Sequence, residues 1–296
     1  LEAVHIRMAK IVSTGTLPAE ESKYFAMHLL SGKFRTSQFY GMPKVHKDIL
    51  PVPLRPVVST VGSLGSVGST YIDFKLQPFT EHLCTYTRNS QMLVNEFSRL
   101  GKLPDDALLS THDADAMYVH IHKEEGLPVI RKYLETYGHE SDSPIDIDIV
   151  MDLLTLILSH SIFKFGDTWW VQEKGTAMGT PCACVYATLF FGWFERQFLL
   201  RKYWKNILFY KRAIDDVIIV WIPDKENTSA FENFKDDLNS QCALTWTSTK
   251  LAKSVDFLDL TITVAPNDYI TTRTFQKKMN LFLYIPLNSA HPPGLL

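Results

Sequence analysis

Two adjacent carboxylates, Asp215 and Asp216, are the residues of this chain that most clearly indicate chemistry. Apolar, strand-like runs flank them on both sides, so the pair is predicted to lie at a tight bend between two strands. Adjacent carboxylates repel each other unless a positive group lies against them. Mg²⁺ prefers carboxylate oxygens and keeps open positions for phosphate, which favours a divalent-metal site. A solvated turn is the alternative, because Asp favours turns through its own hydrogen bonds.

A third carboxylate, Asp113, ends a strand predicted over residues 107–113. If that strand lies beside the one that follows Asp216, the three carboxylates converge at one edge of a sheet. Such a cluster can hold two metal ions about 4 Å apart, one near the attacking oxygen and one near the leaving group. Phosphoryl transfer uses this arrangement because charge develops on both oxygens. Taken alone, Asp113 could equally be a cap or turn residue.

A glycine-containing loop, residues 174–181, lies between the two acidic segments. Its glycines, Gly175 and Gly179, allow close backbone approach, and Pro181 is predicted to open a long helix that runs to Tyr203. A loop that leads into a helix N-terminus is a natural resting place for phosphates. It is not a Walker A loop, because Lys174 precedes the glycines. A structural turn before a core helix is the alternative.

The elements that would position these residues mix helices with antiparallel hairpins, without regular βαβ alternation. This pattern predicts an α+β fold in which helices back an antiparallel sheet. The most loop-like stretch, residues 51–70, is rich in Pro and Gly. Predicted helices cover residues 90–100, 123–137, 145–159, 180–203 and 229–239, and predicted strands cover 107–113, 162–165, 168–172, 207–212, 217–222, 243–247 and 255–264.

Composition sets few limits on function. The 296 residues are 46% apolar and 21% charged, which is ordinary for a globular protein with one large or two small cores. A net charge of −2 conceals a basic N-terminal part, an acidic middle and a second basic stretch. That distribution suits a polyanion held near carboxylates, although unrelated surface charge is equally consistent. No apolar run is long enough for a membrane span. The four cysteines lack the spacing of a zinc site, which suggests reduced thiols. The first and last residues of the sequence suggest an excised fragment.

Six motifs in order give the chain a resemblance to reverse transcriptases. The wording of the first and fourth is most similar to the Penelope-like retroelement branch, and the similarity covers roughly residues 35–290. The motifs are a Pro-Lys-x-His-Lys segment, Leu54-Arg-Pro-Val-Val-Ser59, Asp113-x-x-x-x-Tyr118, Lys174-Gly-x-x-x-Gly-Thr-Pro181, Ala213-Ile-Asp-Asp216 and Asp256-Phe-Leu-Asp-Leu-Thr261.

The resemblance implies a right-hand polymerase made of palm and fingers. Residues 1–104 and 123–173 would be fingers, and residues 105–122 and 174–275 would be palm. Residues 276–296 would begin the connection to a thumb that is largely absent.

The resemblance also implies a set of site residues. Asp113, Asp215 and Asp216 would be catalytic, and together with the Ala114 carbonyl they would bind two Mg²⁺ ions, with Mn²⁺ as an alternative metal. The implied nucleotide-binding residues are Lys44, Arg55, Asp115, Ala116, Met117, Tyr118, Lys174, Gly175 and Lys250, with Lys47 as a looser candidate, and the implied primer-grip residues are Phe257 and Leu258.

Several implied roles have structural alternatives. Tyr118 would stack under the sugar and exclude a 2′-hydroxyl, which argues for deoxynucleotides and against an RNA-dependent RNA polymerase. The alternative is an ordinary half-buried tyrosine. Arg55 would grip the incoming triphosphate, and Lys250 would protonate the leaving pyrophosphate. The lysines could instead belong to a solvated basic loop, and Phe257 and Leu258 could be core residues.

One residue departs from the family pattern. Ala213 stands where relatives usually carry Tyr, and an aromatic ring there would pack near the primer terminus.

The implied activity is RNA-directed DNA polymerisation from an RNA template, a DNA primer and dNTPs, in a mobile retroelement. The alternative is an impaired, nucleic-acid-binding remnant of such an enzyme. The resemblance implies an intracellular protein, nuclear if the element is eukaryotic; it leaves the oligomeric state open.

Overall fold

The computed structural model describes residues 2–14, 17–44, 50–140 and 145–276. Three sheets and a set of packed helices make up this part of the chain. The helices are α1 Glu2–Thr14, α2 Ala19–Leu30, α3 Leu64–His82, α4 Ser90–Leu100, α5 Met117–His120, α6 Lys123–Tyr137, α7 Ile147–Ser159, α8 Ala183–Phe194, α9 Leu200–Lys202 and α10 Ala230–Ser240, with a 3-10 turn at Gly138–Glu140 and a π-helical segment at Glu195–Leu199. The strands are β1 Ser37–Pro43, β2 Leu54–Ser59, β3 Leu108–Ala114, β4 Ile162–Phe165, β5 Thr168–Val171, β6 Ile207–Ala213, β7 Asp216–Trp221, β8 Trp246–Ser248, β9 Ser254–Phe257, β10 Leu260–Val264 and β11 Ile270–Thr274.

The central sheet has the strand order β6-β7-β3-β8, and all its pairs are antiparallel. Successive side chains of a strand point to opposite faces, and β7 has a covered face on each side. Val217, Ile219 and Trp221 join the large core formed with α8 and α10, whereas Ile218 and Val220 join a second apolar cluster. A strand buried on both faces needs apolar residues at every position, which explains the unbroken apolar run after Asp216.

The described residues form two further sheets. One has the order β2-β1-β4-β5, and its β1–β4 pair is parallel. The other, β9-β10-β11, supplies Phe257, Ile262 and Val264 to the second apolar cluster, together with Phe97 of α4. Helices therefore back one face of the central sheet, and the small sheet and α4 cover the other.

Most of the predicted elements are present. The helix over residues 90–100 begins after Asn89, whose side chain accepts a hydrogen bond from the Met92 N–H, as the predicted cap requires. The helix over 123–137, the hairpin at 162–171 and the two strands that flank the Asp pair are confirmed within a residue or two. None of the helices in the described ranges is long and apolar enough to cross a bilayer.

Three predictions about elements are wrong, and a fourth, the long helix over 180–203, is confirmed except at its start. Residues 51–70 are not a loop, because β2 and the start of α3 occupy much of this stretch and Ser63 caps the helix. The long helix begins at Ala183 rather than near Pro181, and it changes to π-helical geometry at Glu195. The strand over 255–264 is a hairpin that turns at Leu258, where φ is +53°. The strand over 243–247 is shifted to Trp246–Ser248.

Candidate active site

The three aspartates lie at one edge of the central sheet. In the register of β3 and β7, Asp113 stands directly opposite Asp216. Residues directly opposite in an antiparallel pair have Cα atoms about 4.5–5.5 Å apart. Asp215 belongs to the two-residue turn between β6 and β7, and its carbonyl accepts a hydrogen bond of 2.9 Å from the Ala114 N–H. The structure thus brings the acidic segments together as the sequence predicted.

The Asp215 carboxyl lies in an environment that disfavours its negative charge. Burial raises the pKa of Asp215 above its ordinary value, and the nearby charge of Asp113 raises it further. The positive charges of Arg55 and Arg212 act in the opposite direction but do not compensate fully. A cation close to the carboxylates would favour the charged form of Asp215 and offset these effects.

The oxygen donors at this edge suit Mg²⁺ bound jointly by protein and substrate. In the part of the chain that the structure describes, no three His, Cys, Asp or Glu side chains are already gathered as a metal site. Mg²⁺ in nucleotide enzymes is commonly held by only one or two carboxylates, and substrate phosphates and water complete its shell. Asp113, Asp215 and the backbone carbonyl of Ala114 provide such a partial set.

A sharp turn after β3 places Tyr118 beside the carboxylates. Ala116 adopts a left-handed conformation with φ of +42°, and α5 begins at the next residue. The Tyr118 hydroxyl lies 3.1 Å from Cys184 Sγ on α8. The pKa of Tyr118 is raised mainly by burial and by that contact, and the charge of Asp215 adds to the effect. Tyr118 is therefore a half-buried ring, held at its hydroxyl end, next to the acidic edge.

The glycine-containing loop joins α5 to β2 by direct backbone contacts. The Thr176 N–H donates to the Tyr118 carbonyl at 2.6 Å, and a Cβ atom on Gly175 would lie 2.4 Å from the same oxygen. The Met178 carbonyl accepts from the Val58 N–H at 2.8 Å. Gly175 and Gly179 have φ values of +68° and +110°. The predicted need for glycine at both positions is confirmed.

The phosphate site at the start of the following helix stays a prediction, although the first two backbone donors there have partners inside the protein. Cys182, which precedes α8, is fully buried, and its N–H donates to Ser69 Oγ at 3.0 Å. The Ala183 N–H donates to the Thr180 carbonyl at 3.0 Å. The N–H groups of Cys182 and Ala183 are therefore not available to a phosphate.

Of the candidate cations, Arg55 is the one whose charge is felt at the acidic edge. Arg55 is exposed on β2, opposite Met42, and its charge reaches Asp215. Lys44 follows β1, and its N–H donates to the Pro53 carbonyl at 2.8 Å. Lys174 is exposed immediately before Gly175. Lys47 lies outside the described residues.

The remaining nucleotide-binding candidates differ in their distance from the carboxylates. Asp115, Ala116 and Met117 form the turn between β3 and Tyr118. Lys250 follows β8, and because β8 runs antiparallel to β3, Lys250 lies beside the middle of β3 and away from Asp113. The structure does not bring Lys250 to the carboxylates.

The predicted primer-grip residues lie on the face of the central sheet that also carries Ala213. Phe257 is buried in the second apolar cluster, as its core alternative requires. Leu258 occupies the turn between β9 and β10, and both Leu258 and Ala213 pack partly exposed against that cluster. Leu258 is therefore the more accessible of the two.

Two residues at the site escaped the sequence interpretation, Arg212 and Glu195. Both side chains are fully buried, and they form an ion pair directly below the Asp215 turn. The signal that could have found them is a charge of each sign inside two otherwise apolar segments, since such charges are rarely buried unless they are paired.

Comparison with solved structures identifies the fold. The chain is similar to the telomerase of Candida albicans in complex with a TWJ fragment of telomeric RNA (TM-score 0.56, 11% identity, 86% of this chain and 48% of that one). It is also similar to the telomerase of Candida tropicalis in complex with such a fragment (0.59, 11%, 85% and 46%). A third similar structure is the BmCPV RNA-dependent RNA polymerase at its elongation state (0.56, 10%, 83% and 24%).

These similarities show a reverse-transcriptase-like polymerase fold, with an antiparallel palm sheet backed by helices. The predicted fold class is confirmed. The chain spans about half or less of the length of the structures just described. No protein-family model and no curated protein sequence matches it.

Proposed function

We propose that this chain is the RNA-directed DNA polymerase domain of a mobile retroelement of the Penelope-like type. It would use two Mg²⁺ ions, or Mn²⁺, to add dNTPs to the 3′-hydroxyl of a DNA primer paired with an RNA template. Fingers would comprise residues 1–104 and 123–173, and palm residues 105–122 and 174–275. The protein would act inside the cell, and in the nucleus if the element is eukaryotic.

The observation that carries the proposal is the register of β3 and β7. It sets Asp113 opposite Asp216, with Asp215 in the adjoining turn and Tyr118 a few residues away. A solvated turn would not require a half-buried carboxyl whose charge is disfavoured by burial and by a second aspartate. The polymerase fold supports the same interpretation, and the RNA named with the Candida telomerases supports an RNA partner.

The reaction is a displacement at phosphorus. The primer 3′-hydroxyl attacks the α-phosphorus of a dNTP, a new P–O bond forms, and pyrophosphate leaves. When bound, the metal ions would lower the charge repulsion between the attacking oxygen and the triphosphate. Asp113, Asp215 and the Ala114 carbonyl would hold them. Arg55 would bind the triphosphate through charge-assisted hydrogen bonds, with Lys44 and Lys174 as further cations near this edge.

Primer extension tests the proposed function. The purified chain is given an RNA template, a DNA primer, dNTPs and Mg²⁺, and the product is measured by length. Extension that requires Mg²⁺ supports the proposal. A folded protein that binds the primer–template duplex but does not extend it would contradict it.

Replacing Tyr118 by Ala tests the proposed selection of deoxynucleotides. The ring lies beside Asp215, so its removal opens space where a 2′-hydroxyl would fit. We expect the preference for dNTPs over rNTPs to fall by about tenfold or more, as for other steric discriminations of one small group. Steady-state kcat/KM for both nucleotides measures it.

Tyr118→Phe is the matched control for that experiment. It keeps the ring and removes only the hydroxyl that contacts Cys184. The preference for dNTPs should therefore stay near the wild-type ratio. An unchanged ratio in Tyr118→Ala would show that the ring is an ordinary half-buried tyrosine.

A second candidate function, an impaired nucleic-acid-binding remnant, rests on Ala213. This residue lies next to the catalytic turn and packs partly exposed against the cluster that contains Leu258, and it stands where relatives place an aromatic ring. Mg²⁺ binding without primer extension would favour the remnant.

Ala213→Tyr is expected to raise primer affinity or turnover several-fold. The new ring would add apolar surface beside the hairpin turn at Leu258, where the primer terminus would lie. Primer–template Kd and single-turnover extension rates measure the gain, and Ala213→Leu adds volume without a ring as the control. The absence of a gain in both quantities would mean that alanine is tolerated here.

A further inference from the structure

A buried ion pair contacts the Ile214–Asp215 turn. Arg212, at the end of β6, and Glu195, where α8 becomes π-helical, are both fully buried. Arg212 Nε donates to Glu195 Oε1 at 2.6 Å, and Arg212 Nη2 donates to Glu195 Oε2 at 2.9 Å. This two-point geometry fixes the plane of the guanidinium group.

Each member of the pair has further partners. The Glu195 carboxylate also accepts from Thr85 Oγ1 at 2.6 Å and from the Tyr210 hydroxyl at 2.8 Å. Arg212 Nη2 also donates to the Thr188 carbonyl of α8 at 2.8 Å. Buried charges are costly unless they are paired and hydrogen-bonded, and this network satisfies both groups. The guanidinium group is consequently held in one orientation.

One bond connects this network to the catalytic turn. Arg212 Nη1 donates to the Ile214 carbonyl at 3.0 Å. Ile214 has a φ of +59°, a conformation that a β-branched residue rarely adopts because its Cβ atom crowds the following carbonyl. A strained residue of this kind keeps its conformation only where its surroundings enforce it. The bond from Arg212 and the bond from the Ala114 N–H to Asp215 hold the two carbonyls of the turn.

We propose that Arg212, oriented by Glu195, is a positioning residue that fixes the Ile214–Asp215 turn and so sets the direction of the Asp215 carboxylate. The proposal rests on the proposed function, because it assigns the pair a role in catalysis. Neither residue touches the reacting atoms. Their effect is expected on the rate of the chemical step rather than on substrate binding.

If the pair had only a structural role, its loss would change stability and leave kcat unchanged. Buried ion pairs often contribute little net stability, since desolvation offsets their attraction. The chain contains a similar pair for comparison, because Arg196 donates through both Nη atoms to Glu140 at 3.0 and 2.8 Å. Arg196 also lies in the π-helical segment, but it contacts Glu140, Tyr133 and Tyr137 rather than the Ile214–Asp215 turn. It is a matched control.

The experiment compares Arg212→Lys with Arg196→Lys in the purified chain. Lysine keeps the charge but cannot make the two-point contact with Glu195 and also reach the Ile214 carbonyl. Circular dichroism and thermal melts establish that each variant is folded at the assay temperature. We expect Arg212→Lys to lower kcat about tenfold or more while KM for dNTP and Kd for primer–template stay within about twofold, because a small misplacement of a reacting group is costly. Arg196→Lys should leave kcat unchanged.

A milder variant covers the case in which Arg212→Lys does not fold. Tyr210→Phe removes only one of the bonds to the Glu195 carboxylate and keeps the ring. We expect it to lower kcat measurably, again with KM unchanged. A folded Arg212→Lys variant, or failing that Tyr210→Phe, with wild-type kcat would overturn the positioning role.

Manganese binding to the same proteins, followed by electron paramagnetic resonance, separates this inference from the proposed function. A wild-type protein that neither binds Mn²⁺ nor extends a primer contradicts the proposed function, and the positioning role falls with it. A wild-type protein that extends, beside an Arg212→Lys variant with equal kcat and equal Mn²⁺ affinity, contradicts the positioning role alone. Weakened Mn²⁺ binding together with a lowered kcat supports both.

Discussion

Asp215→Asn is expected to lower RNA-templated primer extension by about 10³-fold or more, because losing a metal ligand removes several kcal/mol of transition-state stabilisation. The amide keeps the size of the side chain but cannot carry the charge that binds Mg²⁺. Single-turnover extension with Mg²⁺ measures the loss. Binding of the primer–template duplex should change little, since the nucleic-acid backbone is held by cations rather than by carboxylates.

The same substitution should leave the fold intact and slightly stabilise it in metal-free buffer. The pKa of Asp215 is raised by burial and by Asp113, so folding favours its uncharged form. A neutral amide removes this unfavourable charge at neutral pH, and a thermal melt without divalent metal would show it. Asp236→Asn, an exposed change on α10, is the control and should affect neither quantity. Extension that survives Asp215→Asn would remove the carboxylate edge from the mechanism.

The location of the acidic edge could be predicted because its signals are local. A continuous apolar run after Asp216 requires a strand covered on both faces, and only central strands are covered in that way. The strand that ends at Asp113 then becomes its natural neighbour. The two-residue turn at Asp215 follows from the same run, since little chain is left between the two strands.

The errors arose where tertiary contacts override local preference. The Gly- and Ser-rich residues 61–68 resemble a loop, but most of them form the first turns of α3, where Gly68 lies against Met8 and Ile157. Only small residues allow helices to approach so closely, and that reason is invisible in the sequence. Likewise, Pro181 suggested a helix start, although the N–H of Cys182 is satisfied by Ser69 of another helix.

The arrangement of the site could be predicted only in part, because sequence order does not give strand direction. Lys250 follows the acidic motifs in a suitable order, yet β8 runs back along β3 and carries it away from the edge. The Arg212–Glu195 pair joins residues from a strand and a helix, and no spacing rule links the two positions. Burial of both partners is the feature that decides their role, and burial is a property of the folded chain.

Gly175→Ala is expected to destabilise the fold by roughly 3 kcal/mol or more, beyond the usual range for a surface change. The added Cβ atom would lie 2.4 Å from the carbonyl oxygens of Tyr118 and Val119. Both are backbone atoms of α5 and cannot move without displacing the Tyr118 ring. In the fraction that stays folded, we expect extension to fall by about 10²-fold, the cost of a misplacement near 1 Å. Denaturant unfolding and extension rates measure the two effects.

Gly166→Ala separates the effect of space from the effect of backbone conformation. Gly166 also has a positive φ, +57°, but nothing lies within 4 Å of the position where its Cβ would be. It should therefore show only the cost of the left-handed conformation, about 1 kcal/mol, and normal extension. If Gly175→Ala behaves like Gly166→Ala, the contact between the loop and α5 is adjustable, and the loop does not fix Tyr118. If it loses far more, the glycine is required because two backbone segments must touch at the point where Tyr118 meets the acidic edge.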